Sequence, residues 1–560
     1  MAKAETADAD GMDRQRGLRD FLQPRVLVML ALGFSAGLPN LLIFDTLSAW
    51  LRDGGISLAV IGFFSLATLA YSAKFLWAPL VDRTHVPVLT NWLGHRRSWM
   101  LVAQAAIMLG LWLISGQNPQ TGLGAMAGFA VFVGFAGATQ DIVIDAWRIE
   151  AAEQREQGIM AAAYQWGYRV AMIVAGAAPL ALAQAYSWNF SYAVMAALML
   201  IGVGAVLCAP REQAHKVRPI HAEGVAARPG LEIAEWAVRG ALLVFGGLVA
   251  GAGLSGDPAP LALVFGGDVL GLASLWRGTP YSVFLQVGAV VLGLGVIALA
   301  CAPLPGARTR PGLYLGASFG APLKDFFTRY AGTASLILAL ICLYRVSDFV
   351  LNVMNPFYLD LGFSKVEIAE VRKVFGVVAS MFGVFVGGWA VVKLGLMRAL
   401  VIGAFAGALS NLVFIALAMV GHSMPALFFA IGIDNVASGF AGTCLIAYMS
   451  SLTSSGFTAT QYALFSSLYA LPGKLIASQS GRIIEGAARS ADGGGLFAVL
   501  NPLLARVTSD AYVTGAATAE VTPAALGAGY IAFFIYSALI GIVAIVLVFI
   551  VAARTRAALR

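Results

Sequence analysis

The sequence predicts an all-α, polytopic membrane protein, and composition and segment pattern carry that prediction. Hydrophobic residues make up 59% of the 560 positions and charged residues 12%, whereas about a quarter of the residues in soluble domains are charged. Mean hydropathy is +0.81. The apolar stretches do not show the polar and apolar alternation that marks a lipid-facing barrel. We therefore expect a bundle of membrane-spanning helices.

Each membrane-spanning helix needs about 20 mainly apolar residues. About fourteen stretches along the chain meet this requirement. The predicted spans are 26–50, 58–80, 98–115, 122–146, 157–184, 190–209, 235–254, 282–303, 332–356, 367–392, 397–420, 425–450, 458–485 and 526–553.

Basic residues predict the orientation of these spans. Loops rich in Lys and Arg alternate with loops that nearly lack them, such as Ser115 to Gly122 and Gly421 to Pro425. By the positive-inside rule both termini are cytoplasmic, as an even number of spans requires. Topology and phospholipid head groups account for the net charge of +7, so the sequence gives no reason to expect a nucleic-acid partner.

Several classes of chemistry lack their sequence signatures. The cysteines stand alone in apolar segments, which predicts buried free thiols rather than a metal site or disulfides; they are Cys208, Cys301, Cys342 and Cys444. All five histidines are expected in loops. Gly473 and Lys474 are followed by Leu475, so they do not form a nucleotide-binding P-loop. No cofactor and no enzyme activity are expected.

The segment from Gly134 to Arg169 places two carboxylates, Asp141 and Asp145, in an apolar run. A bare charge there costs about 2.5 to 3.5 kcal/mol. Arg148 follows Asp145 by three residues, which favours a structural ion pair near the membrane surface. Asp141 has no basic residue within helical reach, so its partner comes from another segment, from water or from a proton. Gln140 lies beside it.

A second motif joins two predicted spans. Asp82 and Arg83 end one span, and Gly94, with Arg96 and Arg97 behind it, starts the next. This order is typical of the loop between helices two and three of major facilitator transporters. There the acid pairs with arginines across helix ends that separate during transport, so we expect a gate rather than a substrate site.

The second half of the chain has its own deep charges. Arg345, Asp348 and Asn352 are spaced to share one helix face. Lys373, Asp434 and Lys474 also fall inside apolar spans. For each base, two interpretations stay open: an ion pair that joins helices, or direct contact with a substrate. Lys74, in the first half, is expected to pair with an acid or to face a cavity.

The motifs GLPNLLIFDTLSAWL, GHRRSW, GATQDIVIDAWR, LYRVSDF and FTATQYALFSSL, in this order, resemble the AmpG-type muropeptide permease family of the major facilitator superfamily. The similarity covers most of 24–210 and 318–485. It implies two six-helix halves, 26–210 and 318–553, joined by a cytoplasmic linker with an inserted helix pair, 211–317. Residues 1–25 and 554–560 are then cytoplasmic tails.

The resemblance also implies a substrate and a direction. The family imports anhydro-muropeptides, GlcNAc-anhydroMurNAc and its peptides, from periplasm to cytoplasm across the bacterial inner membrane for peptidoglycan recycling and β-lactamase induction. Proton symport and a monomer in the lipid bilayer are expected. Because burial raises the pKa of an acid and a nearby arginine lowers it, a carboxylate could carry the proton, with Asp141 the first candidate and Asp348 the second.

The remaining candidate residues divide into two sets. Substrate contacts are expected from side chains that hold carboxylates or bond to hydroxyls and amides: Gln140, Gln165, Tyr168, Arg169, Arg345, Asn352, Lys373, Asp434, Asn435, Tyr448 and Gln461. Gating is expected from Asp82, Arg83, Arg96, Arg97, Asp145 and Arg148.

Two alternatives stay open. One is a transporter of the same fold for another solute, such as a sugar-phosphate, a nucleotide-like or a drug-like compound. Asp45 favours it, because an acid stands on the first helix where a small or neutral residue is expected. The other is a membrane-embedded enzyme or an assembly factor without transport, although no cluster of catalytic residues appears.

Overall fold

The computed structural model describes residues 23–54, 70–71, 74–153, 156–210, 225, 228–255, 258, 261, 276, 281–304, 308–351, 354–364, 367–368, 370–477, 480–505, 507 and 511–558. Within these ranges every regular element is a helix. The predicted all-α class is therefore confirmed.

The chain forms two compact units. The first comprises Met1–Ala331 and Met449–Ser467, and the second comprises Gly332–Tyr448 and Leu468–Arg560. A short stretch from late in the sequence thus belongs with the first unit.

Helices of the first unit are α1 Pro24–Leu41, α2 Leu47–Asp53, α3 Ala78–Arg83, α4 Leu89–Leu93, α5 His95–Ser115, α6 Leu123–Ala151, α7 Gln157–Ala185, α8 Trp188–Leu198, α9 Leu200–Cys208, α10 Pro229–Ser255, α11 Ser282–Cys301, α12 Arg310–Leu315 and α13 Ala321–Arg329. The 3₁₀ helix Lys74–Leu76 and the π-helical segments Leu42–Thr46 and Gly316–Gly320 complete it.

Helices of the second unit are α14 Ala334–Leu343, α15 Val346–Val350, α16 Met354–Asp360, α17 Gly376–Leu394, α18 Leu396–Ser410, α19 Val413–Val420, α22 Ser480–Asp492, α23 Val513–Ala519 and α24 Pro523–Ala558, with the π-helical segment Glu370–Phe375 and the 3₁₀ helix Leu496–Leu504. Two further helices, α20 Met424–Ser451 and α21 Thr458–Ala477, have residues in both units.

Eleven helices in the described residues are long and apolar enough to cross a membrane. The number rises to twelve if Arg310–Arg329 and Ala334–Asp348, bent by 107°, form one broken span. Most of the predicted span 58–80 lies outside the described residues, and 458–485 is divided between α21 and α22. The chain is therefore a multi-pass membrane protein, and a total of about fourteen spans stays a prediction.

Glycines bring α1 and α7 into close contact in the first unit. A Cβ added at Gly33 would lie 2.2 Å from the carbonyl oxygen of Tyr164, and one at Gly167 would lie 1.9 Å from that of Leu30. Small residues allow membrane helices to approach in this way. This contact fixes the height of Tyr164 in the bundle.

A similar contact joins α17 and α20 in the second unit. A Cβ added at Gly383 would lie 2.1 Å from the oxygen of Val436, and one at Gly439 would lie 2.3 Å from that of Ser380. Backbones this close leave no freedom for α20 to rotate. The side chain of Asp434, on the same helix, is positioned by this packing.

Two helices start after a glycine with positive φ. Gly94 has φ 102° before α5, and Gly395 has φ 83° before α18. L-residues with a side chain rarely adopt this conformation. Arg96 and Arg97 are thereby placed in the first turn of α5.

Two expectations need correction. His95 does not lie in a loop but opens α5, where its buried ring nitrogen lies 2.7 Å from the oxygen of Val81. All the cysteines are free thiols, yet Cys444 is buried whereas Cys208 is exposed. His95 was placed in a loop because α5 begins three residues before the predicted span 98–115. The cysteines differ in exposure because one face of each span points outward regardless of how apolar the segment is.

We expect Gly167→Ala to lower the melting temperature of the detergent-purified protein. The new methyl group would overlap the Leu30 carbonyl of α1, and overpacking of this kind costs about 1–3 kcal/mol. Gly204→Ala is the matched control, since nothing lies within 4 Å of a Cβ there. Equal melting temperatures for the two variants would contradict the proposed α1–α7 contact.

Candidate functional site

Helix α6 places several charged side chains inside the first unit. Asp141 and Asp145 are only 8% and 6% exposed, and they lie one helical turn apart. Arg148, a further turn along, is fully buried. Charges in such surroundings require partners.

Asp145 has two cationic partners. Its Oδ1 lies 3.3 Å from Nη2 of Arg148, and its Oδ2 lies 4.0 Å from Nζ of Lys74. Both predictions are confirmed: the local ion pair of Asp145, and an acidic partner for the buried Lys74.

Asp141 is surrounded differently. The Tyr164 hydroxyl lies 3.5 Å from its Oδ1, and within the described residues this carboxyl forms no ion pair. Tyr71 is close by, because a Cβ added at Gly137, one turn before Asp141, would lie 2.1 Å from its hydroxyl oxygen. That hydroxyl is buried and has no hydrogen-bond partner in the described part of the chain. Asp141 is thus a buried carboxyl beside phenols that forms no ion pair in the described part of the chain, with the Lys74 ammonium acting on it from a greater distance.

Gln140 faces a different part of the bundle. Its Oε1 accepts a hydrogen bond from Ser35 (3.3 Å), which in turn accepts one from Gln104 (3.4 Å). All three side chains are buried. The expected contact between Gln140 and a substrate therefore stays a prediction that requires the bundle to open.

Other predicted substrate residues of the first unit lie on α7. Gln165, Tyr168 and Arg169 are half-buried, and the rings of Tyr164 and Tyr168 lie 6.0 Å apart. The structure therefore brings these donors onto the helix that carries the Asp141 partner.

A network of buried charge joins helix ends elsewhere in the first unit, and we call it the charged end. Arg96 is fully buried and donates to Asp82 (2.8 Å) and Glu150 (2.7 Å). Asp82 also accepts hydrogen bonds from the backbone N–H (2.8 Å) and the hydroxyl (2.7 Å) of Thr460. Asp82 therefore caps the N-terminus of α21, where the helix dipole favours a negative charge.

The other predicted gating arginines also bond at helix ends. Arg83 donates to the carbonyl of Ala317 (2.8 Å), and Arg97 donates to that of Val206 (3.0 Å). Arg148 donates to the hydroxyl of Ser450 (2.8 Å). Every gating residue proposed from sequence thus links separate segments of the first unit.

Gln461 lies at the charged end too. Its amide donates to Asp325 (3.1 Å), and its carbonyl oxygen accepts from Arg329 (3.2 Å) and from the Ser454 backbone (2.8 Å). It was predicted as a substrate contact, and that role stays a prediction. Sequence reasoning missed Asp325 and Arg329, although their spacing of four is typical of a helical ion pair.

The second unit contains a polar cavity of about 270 Å³ lined by Arg345, Asp348, Leu351, Met354, Tyr358, Arg372, Ile431, Asp434, Asn435 and Ser438. Arg345 bonds to Oδ2 of Asp348 through Nε (2.9 Å) and Nη2 (2.8 Å), and to the Ser438 hydroxyl (2.7 Å). The predicted shared face of Arg345 and Asp348 is confirmed. A cavity with both guanidinium and carboxylate groups can bind a zwitterionic or acidic ligand.

Not every predicted residue of the second half is seen in this cavity. Asp434 and Asn435 line it, whereas Tyr448 is buried near the C-terminal end of α20. Asn352 and the side chain of Lys373 lie outside the described residues. Sequence reasoning missed Arg372, which precedes Lys373.

We expect Asp82→Ala to destabilise the purified protein by about 3 kcal/mol, because it removes one partner of a buried arginine and the cap of α21. The readout is the thermal melting midpoint in detergent. Glu485→Ala is the control, since Glu485 and its partner Arg489 are 53% and 68% exposed and such pairs contribute little. Equal midpoints for the two variants would mean that the charged end does not hold these helices together.

Comparison with known proteins agrees with this architecture. The model of the Major Facilitator Superfamily matches residues 26–476. The anhydromuropeptide permease of Escherichia coli K12 is 30% identical over 84% of this chain and 76% of its own length. The putative transporter AmpG 4 of Rickettsia conorii is 28% identical over 83% of this chain and 91% of its own. The proton:xylose symporter XylE shares the fold at 10% identity, with a TM-score of 0.51 over 95% of each chain. The chain therefore belongs to the Major Facilitator Superfamily of transporters, and within it to the AmpG-type permease family.

Proposed function

We propose that this protein imports anhydro-muropeptides from the periplasm to the cytoplasm in symport with protons. The observation that carries the proposal is the buried Asp141 carboxyl. It contacts the Tyr164 hydroxyl and forms no ion pair in the described residues. The relative from Escherichia coli at 30% identity, an anhydromuropeptide permease, supports the substrate class.

Asp141 is the proposed proton carrier. This carboxyl is buried and forms no ion pair in the described residues, although Lys74, which pairs with Asp145, also acts on it electrostatically. It is therefore the group that would accept a proton from one side and release it when its surroundings change. One charge that moves through 100 mV supplies about 2.3 kcal/mol, which supports an accumulation of roughly fiftyfold. Asp348 is the second candidate, but its ion pair with Arg345 would have to open first.

Substrate recognition is divided by chemistry. Arg169, Arg345 and Lys373 would hold the carboxylates of the peptide. The hydroxyls and amides of the sugar and peptide would bond to polar side chains: Gln140, Gln165, Tyr168, Asn352, Asp434, Asn435, Tyr448 and Gln461.

The charged end is the proposed cytoplasmic gate. Its bonds between Asp82, Arg96 and Thr460 would have to break before the substrate leaves toward the cytoplasm. This assignment uses the predicted orientation, in which both termini are in the cytoplasm and the protein lies in the bacterial inner membrane. We propose that a monomer, with two six-helix halves and an inserted helix pair, is sufficient for transport.

Uptake into proteoliposomes tests the proposal. Labelled anhydro-sugar peptide is offered with and without an inward proton gradient, and unlabelled muropeptide and a sugar-phosphate serve as competitors. We expect accumulation by the parent only with the gradient, and competition only by the muropeptide. Competition by the sugar-phosphate alone would assign another solute to the same fold.

Asp141→Asn is expected to abolish accumulation while it preserves exchange of labelled for unlabelled substrate, because the amide cannot carry a proton. Glu485→Gln, at an exposed surface position, is the control and should accumulate like the parent. Equal gradient-driven accumulation by Asp141→Asn would remove Asp141 from the proton path.

A further inference from the structure

The polar cavity of the second unit holds four ionisable groups around one space. Arg345 and Asp348 come from the α14–α15 region, Arg372 from the segment before α17, and Asp434 from α20. The arginines are always protonated, so the charge of the cavity depends on its carboxyls.

Asp348 and Asp434 differ in their bonding. Oδ2 of Asp348 accepts two guanidinium hydrogen bonds from Arg345, which fixes its charge against that arginine. Asp434 faces Arg345, Asp348 and Arg372, together with the hydroxyls of Ser410 and Tyr358. Within the described residues it forms no such two-bond pair, so it is the group in the cavity that is free to change its charge.

Arg372 is the arginine of the cavity whose counter-charge depends on Asp434. Its guanidinium donates to the neutral side chain of Asn355 and is exposed where it lines the cavity. When both carboxyls are ionised, two positive and two negative charges cancel. When Asp434 holds a proton, one guanidinium charge has no counter-charge in the cavity.

We propose that this cavity is a proton-linked carboxylate site, in which protonation of Asp434 leaves Arg372 to bind a carboxylate of the substrate peptide. The inference rests on the proposed function and adds a recognition site for the acidic part of the substrate. It is separate from the role of Asp141, which concerns the gradient-driven step.

The size of the cavity agrees with this role. Whole drug-sized ligands occupy pockets of about 300–1,000 Å³, whereas this space is about 270 Å³. It has room for one acidic side chain or chain terminus, and we place the sugar elsewhere in the protein. The two parts of the substrate can then be tested independently.

Two ligands that differ only in charge separate the peptide contribution from the sugar contribution. One is an anhydro-sugar peptide with free carboxylates, and the other is the same compound with those groups converted to amides. Binding to the purified full-length protein is measured by calorimetry at about pH 5.5 and about pH 8, where peptide carboxylates are ionised throughout.

For the parent we expect the acidic ligand to bind at least about tenfold more weakly at the higher pH, as one linked proton requires. The amidated ligand should lose less affinity over the same pH change, because its binding reports only protons taken up outside this cavity, such as the one proposed for Asp141. Asp434→Asn should make the two ligands respond alike to pH and keep the stronger affinity for the acidic ligand, and Asp434→Glu should restore the larger pH dependence of the acidic ligand.

Arg372→Gln should weaken binding of the acidic ligand about ten- to a hundredfold, which is the effect of one lost charge-assisted hydrogen bond. The affinity for the amidated ligand should stay unchanged. Arg489→Gln, which removes an exposed arginine from the same unit, should bind both ligands like the parent. The amidated ligand also reports that each variant is folded.

An unchanged pH dependence in Asp434→Asn, or equal weakening of both ligands by Arg372→Gln, would overturn the carboxylate site and leave the proposed function standing. Failure of the parent to bind either ligand would instead overturn the proposed function and the site with it.

Discussion

Compensation of charge inside apolar helices is the constraint on which the rest of this structure depends. Arg96 satisfies it with Asp82 and Glu150, Asp145 with Arg148 and Lys74, and Arg345 with Asp348. Each of these groups would be costly alone in an environment without water. The pairs therefore act as fixed points between helices. The buried Asp141 and the cavity-lining Asp434 lack such a fixed partner among the described residues, and these are the carboxyls that we propose change their charge reversibly.

Close helix packing makes this arrangement specific. Glycines of α1 and α7 let the two backbones approach until a methyl group would not fit, and glycines of α17 and α20 do the same in the second unit. Packing of this kind fixes helix rotation, so that Tyr164 meets Asp141 and Asp434 points into the polar cavity. The charged end then adds a contact that depends on a helix dipole. The Asp82 carboxylate accepts hydrogen bonds at the N-terminus of α21, and these bonds break if the helix end moves away.

The sequence predicts what depends on local geometry and misses what depends on tertiary contact. A spacing of three residues was enough to predict the Asp145–Arg148 pair and the common face of Arg345 and Asp348. The acid for Lys74 was expected, but its identity was not, because many carboxyls are compatible with the pattern. No spacing links Asp82 to Thr460, nor Gln461 to Arg329, since these contacts join segments that are far apart in the chain. Arg372 was missed because the sequence pointed to its neighbour Lys373. Both residues lie in a π-helical segment, which shifts the helical register.

The central claim is that a carboxyl without a paired cation couples a proton to the substrate. Proton uptake on substrate binding tests it directly: anhydro-sugar peptide is added to the purified protein in weakly buffered detergent solution, and the change in pH is recorded. The account predicts uptake of protons by the parent, in an amount that saturates with the bound substrate, and a smaller uptake by Asp141→Asn. Saturable binding of the substrate with no proton uptake by the parent would contradict it.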